Sequence, residues 1–253
     1  MIDSLRTFIN MKGKTCLYFL GQAGFIIKNK GGNILAIDPY LSDCVEKLEG
    51  HIGFKRLLPM IVHPEELALD VIIATHAHLD HYDKDSMSGL MENLKTRLFA
   101  SDRCKAYVAE QELDCKRVQY AVPGDRVIYC GFDINFIPCD HGNAAPDAFG
   151  VIIKTDGKTI CETGDTCLRE DYKDFYLSQG TLDVLIAPIN GAYGNMDEKD
   201  CSVLSEMLKP GVTIPCHYGM FASHGGDIGS FYEIMKEKNL KVNLMAQGEI
   251  MYL

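Results

Sequence analysis

The sequence predicts an α/β fold in layers, two sheets with helices packed outside them, and three observations predict it. Short apolar runs bounded by turn residues recur along the chain and read as buried strands, as in Val71–Ala74, Ile134–Pro138 and Val212–Cys216. Helix signals fall between such runs, and strands that alternate with helices are the order of α/β layers. A hairpin pattern also appears twice, over Gly24–Asp38 and, with one residue more, over Gly150–Asp165. Each copy is an apolar strand, a glycine-containing turn, a second apolar strand and a closing aspartate, which suggests a duplicated architecture.

Taken in order, the first hairpin occupies residues 24–38 and ends in the turn Asp38-Pro39. Residues 44–66 are less regular. The apolar run 71–74 is a strand, and Asp83 and Asp102 stand where side chains can cap helices over 83–93 and 102–110. Strand 134–138 and the second hairpin follow. Asp197 is placed to cap a helix over 197–208, which Pro210-Gly211 stops; the strand 212–216 and a helix over 226–237 complete the pattern. No Pro/Gly/Ser-rich linker divides the 253 residues, so residues 1–253 read as one domain with a sizeable core.

Directly behind the strand 71–74 lies Thr75-His-Ala-His-Leu-Asp-His-Tyr-Asp83, with His76, His78, Asp80 and His81 in six residues. Spacing by two places His76, His78 and Asp80 on one side of an extended chain, so the two histidines can converge on one ion. Asp80 and His81 are consecutive, diverge, and can reach a second ion. The bland reading, a solvated polar turn, does not account for four potential ligands behind a buried strand. Further ligands must come from elsewhere, and the other histidines are His51, His63, His141, His217 and His224. His141 and His217 each follow a strand, as does Asp165, so separate strand ends present His or Asp as they do where a site is assembled on one edge of a fold.

The string His76-Ala-His78-Leu-Asp80-His81 resembles the H-x-H-x-D-H signature of the metallo-β-lactamase-fold hydrolases. A later lone histidine, His141, the pair Gly164-Asp165 and the late His217 also match that family, and the similarity covers nearly the whole chain. The resemblance implies an αββα sandwich of two mixed sheets flanked by helices. It also implies that His76, His78 and His141 bind one metal, that Asp80, His81 and His217 bind another, and that Asp165 bridges them. Within the superfamily the chain looks most like the L-ascorbate-6-phosphate lactonase-like branch. Phe19-Leu-Gly-Gln-Ala-Gly-Phe25, Ile37-Asp-Pro-Tyr-Leu-Ser-Asp43, Ala187-Pro-Ile-Asn-Gly191 and Ile214-Pro-Cys-His-Tyr-Gly-Met-Phe221 carry that similarity. In this family an insertion such as residues 44–66 is expected near the active-site mouth.

The formal net charge of −10 and the lack of a basic stripe argue against a nucleic-acid surface. No apolar run approaches membrane-spanning length, and the start of the chain lacks the basic and apolar regions of a signal peptide, so a cytoplasmic protein without membrane contact is expected. Most of the ten cysteines, which include no Cys-x-x-Cys pair, read as small buried hydrophobes in a reducing compartment. Cys139, Cys161, Cys167 and Cys216 fall beside the ligand positions but match no ligand position of the family. His and Asp ligands suit one or two divalent transition ions, zinc or manganese first and iron next. Two such ions exceed the charge of Asp80, Asp165 and a hydroxide by roughly +1, so a small anionic substrate is expected despite the acidic exterior. A homo-oligomer is compatible with the sequence, which does not specify one.

Two nearby ions can generate a hydroxide at neutral pH, polarise a carbonyl or phosphoryl oxygen and steady a leaving oxygen, so the expected reaction is hydrolysis. A small ester or lactone is the expected substrate class; a phosphodiester is the alternative, and a non-catalytic metal- or ligand-binding protein on the same fold is the second. Asp80 is the expected proton carrier as well as a ligand. Asp38 is the candidate support behind a metal-binding histidine. Asn190, Tyr193 and Asn195 sit in a glycine-rich loop suited to substrate contact. Arg56, beside Lys55, is a candidate receiver for a phosphate, and His224 a candidate substrate-site histidine.

Overall fold

Two mixed sheets face each other in the computed structural model, which describes residues 1–253. The first has seven strands in the order β13-β1-β2-β3-β4-β5-β6: β1 Cys16–Gly21, β2 Gly24–Lys28, β3 Ile34–Ile37, β4 Val71–Ala74, β5 Arg97–Ala100, β6 Val118–Tyr120 and β13 Ile250–Tyr252. The second has six in the order β12-β11-β10-β9-β8-β7: β7 Arg126–Tyr129, β8 Phe132–Pro138, β9 Phe149–Thr155, β10 Lys158–Glu162, β11 Val184–Pro188 and β12 Val212–Cys216. Helices α1 Asp3–Asn10, α2 Cys44–Glu49, α3 Met87–Leu90, α4 Lys105–Glu110, α5 Lys173–Ser178, α6 Glu198–Leu208 and α7 Ile228–Glu237 complete the chain. The expected sandwich is what the chain forms.

Strand alternation explains why the apolar runs are continuous. In β1, Leu17 and Phe19 join the cluster between the sheets, whereas Cys16, Tyr18 and Leu20 join the cluster under the outer helices. Val71 and Ile73 of β4 likewise point inward and Ile72 and Ala74 outward. A strand covered on both faces needs apolar side chains at every position. Leu5 and Phe8 of α1, Leu90 of α3 and Val108 of α4 cover the first sheet, while Leu204 and Leu208 of α6 and Phe231 and Met235 of α7 pack with the second.

The echoed hairpins occupy equivalent places. β2 pairs antiparallel with both β1 and β3, and β3, β4 and β5 are parallel; β8, β9 and β10 repeat the first arrangement and β10, β11 and β12 the second. The carboxyl ends of β3, β4, β8, β10 and β12 are where Asp38, His76, His141, Asp165 and His217 follow. Loops beyond the carboxyl ends of parallel strands are where such sheets build sites.

Some elements differ from the sequence expectation. Asp197 caps α6 through the amides of Lys199 and Asp200 at 2.9 and 2.8 Å, as expected. Asp83 also caps, its Oδ1 accepting from the amides of Asp85 and Ser86 at 3.1 and 3.2 Å, and the same buried carboxylate accepts from the amides of Leu41 and Ser42 at 2.8 and 2.7 Å and from the hydroxyls of Ser42 and Ser86 at 2.6 and 2.7 Å. The cap expected at Asp83 is therefore present, but the helix it opens is short: within the span 83–93 only α3, Met87–Leu90, is helical. Asp102 does not cap its helix: Ser101 precedes it, a 3-10 turn covers Asp102–Cys104, and Asp102 pairs with exposed Lys105. The last helix starts at Ile228, capped by Asp227. Helices α1 and α5 were not expected.

Residues 44–66 are more ordered than their composition suggests, with α2 and 3-10 turns at Gly50–Ile52 and Pro64–Glu66. Residues 53–57 run beside 220–223 and are tied to them by Ser223 N–Gly53 O at 3.0 Å, Ala222 N–Lys55 O at 2.9 Å and Leu57 N–Met220 O at 2.8 Å. Glycine is required at 53: φ is +107°, and a Cβ there would come within 1.8 Å of Ser223 Oγ. No helix is long and apolar enough to cross a membrane.

Candidate metal centre

Where β4 ends, Thr75 and His76 are fully buried and the chain turns outward through His78 and Asp80 before His81 re-enters the interior. The loop is closed by the amides of His81 and Tyr82, which donate to the His78 carbonyl at 3.0 and 2.7 Å. His76 Nε2 and His141 Nε2 then lie 2.9 and 3.3 Å from His78 Nδ1. Atoms bound about 2.0–2.1 Å from one tetrahedral ion are roughly 3.3 Å apart, so these three nitrogens have the spacing of ligands to one ion.

A second set is formed by Asp80, His81 and His217, whose ligand atoms all lie within 4.8 Å of one another. Between the sets lies the Asp165 carboxylate. Its Oδ1 is 2.7 Å from His217 Nε2, and its Oδ2 is 3.5 Å from His81 Nε2 and 3.8 Å from His141 Nε2. His81 Nε2 and His217 Nε2 are buried without a hydrogen-bond partner, although the Asp165 carboxylate lies close to both. Buried polar atoms need partners, and nitrogen lone pairs this close repel unless a proton or cation lies between them. The residues therefore fit a pair of divalent ions held by nitrogen and oxygen, and no cysteine belongs to either set.

Other groups hold these ligands in place. Asp38, at φ 44°, accepts from the Thr75 amide at 2.8 Å and hydroxyl at 2.7 Å, and its Oδ2 is 2.6 Å from His81 Nδ1. That contact turns His81 Nε2 toward Asp80 and His217. The Asp-Pro turn and the support of a histidine are thus one structure. Asn195 Nδ2 donates to Asp165 Oδ2 at 2.8 Å and to Asn190 Oδ1 at 3.1 Å. Gln22 Nε2 donates to Asp80 Oδ2 at 2.9 Å and lies 3.0 Å from His217 Nδ1, while its carbonyl accepts from the His217 amide at 3.0 Å. Gln22 was not among the residues expected at the site. Its signal was the string Gly21-Gln-Ala-Gly24 between two strands, a turn that holds Gln22 at φ 55°.

The ligands open into a cleft of about 480 Å³, within the usual range for small-molecule sites. Asn190, Tyr193, Asn195 and His224 all line it, with Asn195 turned to Asp165. Arg56 does not line it. Its guanidinium donates to the carbonyls of Leu58 at 2.8 Å, Ser42 at 2.7 Å and Pro59 at 3.5 Å and lies over the Tyr40 ring at 4.7 Å. The expected phosphate receiver is instead a brace for residues 42–59, its guanidinium engaged by backbone carbonyls and an aromatic face away from the cleft. No Lys or Arg lines the cleft.

Burial pushes the pKa values of His76, His78 and His141 down, which favours the neutral imidazole that binds metal. Burial also opposes charge on His81, but Asp165, Asp80 and Asp38 outweigh it and hold His81 well above the usual histidine range. Asp165 is held well below the carboxylate range, since His217 and His81 overcome the cost of burying its charge. For the metal-free protein this sets a pH optimum. A histidine lowered by folding takes up a proton on unfolding, so His76, His78 and His141 remove stability as pH falls below about 6.5; the contribution of His81 is full below about 6.5 and is lost as pH rises above it. Thermal unfolding of chelated protein is expected to show greatest stability near pH 6.5. A melting temperature that climbs steadily from pH 5.5 to 8.5 contradicts this balance.

Residues 16–217 match the family model of the beta-lactamase superfamily domain. The chain is 26% identical over 243 residues to a UPF0173 metal-dependent hydrolase of Carboxydothermus hydrogenoformans, covering 93% of this chain and 98% of that one. A second such hydrolase, from Pyrococcus abyssi, is 29% identical over 236 residues, 91% of this chain and 96% of its own. Among solved structures, the metallo hydrolase Igni18 of Ignicoccus hospitalis superposes with a TM-score of 0.73 at 24% identity, covering 95% of this chain and 98% of its own. The metal-ligating geometry fits a metal-dependent hydrolase, and with the match over residues 16–217 it follows that the chain belongs to the metallo-β-lactamase superfamily.

Proposed function

We propose that this chain is a dinuclear metal hydrolase that opens a small ester or lactone, in the manner of the L-ascorbate-6-phosphate lactonases its sequence resembles. The observation that supports the reading is a pair of ligand sets with the Asp165 carboxylate between them, opening into one cleft. In this reading His76, His78 and His141 hold one ion, Asp80, His81 and His217 the other, and Asp165 both. Zinc or manganese suits such donors best, with iron next. Bound divalent ions would lower the pKa of water and polarise the carbonyl oxygen of the substrate.

The chain itself supplies position and proton transfer. Asp80 is the more open of the two carboxylates, its side chain 17% exposed against 6% for Asp165. It is therefore the group that passes a proton to the leaving oxygen, with Gln22 fixing its orientation. Asn195 keeps Asp165 between the two sets, and Asn190 faces the substrate from the same loop.

Chelation, reconstitution with zinc or manganese and element analysis are expected to give up to two ions per chain. The loaded protein is then expected to hydrolyse γ-lactones and simple esters. Absence of metal binding between about pH 6 and 9, where histidines deprotonate, refutes the reading. Turnover of a phosphodiester such as bis(4-nitrophenyl) phosphate, with none of any lactone or ester, moves the assignment to a phosphodiesterase. Saturable binding without turnover of either class moves it to a ligand-binding protein.

A further inference from the structure

The outer half of the cleft is apolar. Val45, Leu48, Ile52, Phe54 and Phe221 line it above the metal ligands. Phe54 is the centre of an aromatic group: it stacks on His224 with centroids 4.4 Å apart and planes at 21°, meets Phe221 edge-on at 5.3 Å, and lies 5.9 Å from Tyr193. His224 Nε2 donates to the Ile52 carbonyl at 3.0 Å, which spends its donor inside the protein and leaves a ring face. Three large apolar side chains at this rim stay open to solvent, Leu48 and Ile52 at 53% and Tyr193 at 58%. Exposed apolar groups gathered at a cleft are unfavourable unless something covers them, and they mark where a ligand sits.

Charge points the same way. Apart from the metal-ligand carboxylates Asp80 and Asp165, Glu49 is the one carboxylate lining the cleft; no Lys or Arg lines it, and Arg56 is committed to backbone carbonyls. A phosphate or carboxylate on the outer part of a substrate would meet Glu49 and hydrocarbon. The apolar wall is also fixed rather than loose, because residues 53–57 are bonded to 220–223 and Gly53 lets the two segments touch.

We infer that this wall is the specificity subsite of the enzyme and that it takes an aromatic or branched apolar substituent on the substrate, a class opposite to the anionic one the sequence suggests. The inference rests on the ester or lactone reading of the metal centre for where the scissile bond lies. Phe54 and the ring of His224 hold the substituent by stacking, and Leu48 and Ile52 close over it. A phenyl or branched alkyl group fits this surface; a sugar phosphate does not.

The test uses the metal-loaded protein and two matched sets of probes. Three γ-lactones carry hydrogen, phenyl or carboxylate at the γ carbon; three lactams, 2-pyrrolidinone, 5-phenyl-2-pyrrolidinone and 5-oxoproline, repeat those groups on a ring that resists hydrolysis. The phenyl lactone is expected to exceed both others in kcat/KM by about tenfold or more, and the phenyl lactam to bind correspondingly tighter by calorimetry. Phe54→Ala is expected to reduce the phenyl preference, the ratio of phenyl to unsubstituted probe, by about tenfold. Ile52→Ser, at a half-exposed position where folding is not at stake, is expected to reduce it less but in the same direction. Equal binding of the three lactams, or tightest binding of 5-oxoproline, overturns the subsite. If no lactone is hydrolysed but the phenyl lactam binds tightest, the hydrolase reading fails and the subsite stands.

Discussion

Asp165→Ala is expected to abolish turnover while leaving the protein folded. The carboxylate lies between the two ligand sets, 2.7 Å from His217 Nε2 and 3.5 Å from His81 Nε2, so its loss separates the sets and removes a donor from each. The cluster between the sheets contains none of these atoms and keeps its contacts. Loss of a charge that positions the reaction centre removes several kcal/mol from the transition state, about a thousandfold in kcat/KM or more. Metal content should fall in parallel, from up to two ions per chain to at most one held weakly. Wild-type turnover with unchanged metal content would falsify the bridging role. Asn195→Ala tests the same carboxylate from its other side, since it removes the 2.8 Å bond to Asp165 Oδ2, along with the 3.1 Å bond to Asn190 Oδ1, and leaves Asp165 in place; a smaller loss of the same kind is expected.

Removal of Asp38 is expected to cost fold stability as well as metal. Its carboxylate is fully buried and serves the Thr75 amide, the Thr75 hydroxyl and His81 Nδ1 at once. Asp38→Ala leaves a buried amide unpaired and His81 without the carboxylate nearest its Nδ1. Breaking a buried charged pair on one side costs about 3–5 kcal/mol. Loss of a group that orients a metal-binding histidine typically lowers metal affinity about 10–100-fold. Urea denaturation of the chelated protein reads the first effect and competition with a chelator the second. Asp38→Asn, which can still receive the Thr75 amide, separates them: it should recover part of the stability and little of the affinity. A denaturation midpoint unchanged in both variants would show that Thr75 and His81 do not depend on this residue.

The ligand set was legible because it is mostly local or strand-ended. His76, His78, Asp80 and His81 are spaced by the geometry of one loop, and His141, Asp165 and His217 each follow a run whose apolar character announces a strand. What was not legible depends on contacts between residues far apart in the chain. Gln22 acquires its role through His217, 195 positions away, and no pattern around residue 22 records that pairing. Arg56 looked available because a basic pair in an irregular segment is normally solvated; its use as a brace follows from the carbonyls of Ser42 and Leu58, which only the folded chain brings within reach. The cap expected at Asp83 formed, but no local pattern records that the same carboxylate also binds the amides of Leu41 and Ser42. Local rules hold until a distant group competes for the same hydrogen bond.

The repeated sheet arrangement has a consequence for how the molecule is held together. The first sheet and its loops supply His76, His78, Asp80 and His81, and the second supplies His141, Asp165 and His217, so neither repeat carries a complete centre. Ions seated between them would act as rivets, their binding free energy adding to the cohesion of the two halves by mass action. Cut in the connection between β6 and β7, the chain should yield fragments that rejoin far more readily with metal than with chelator.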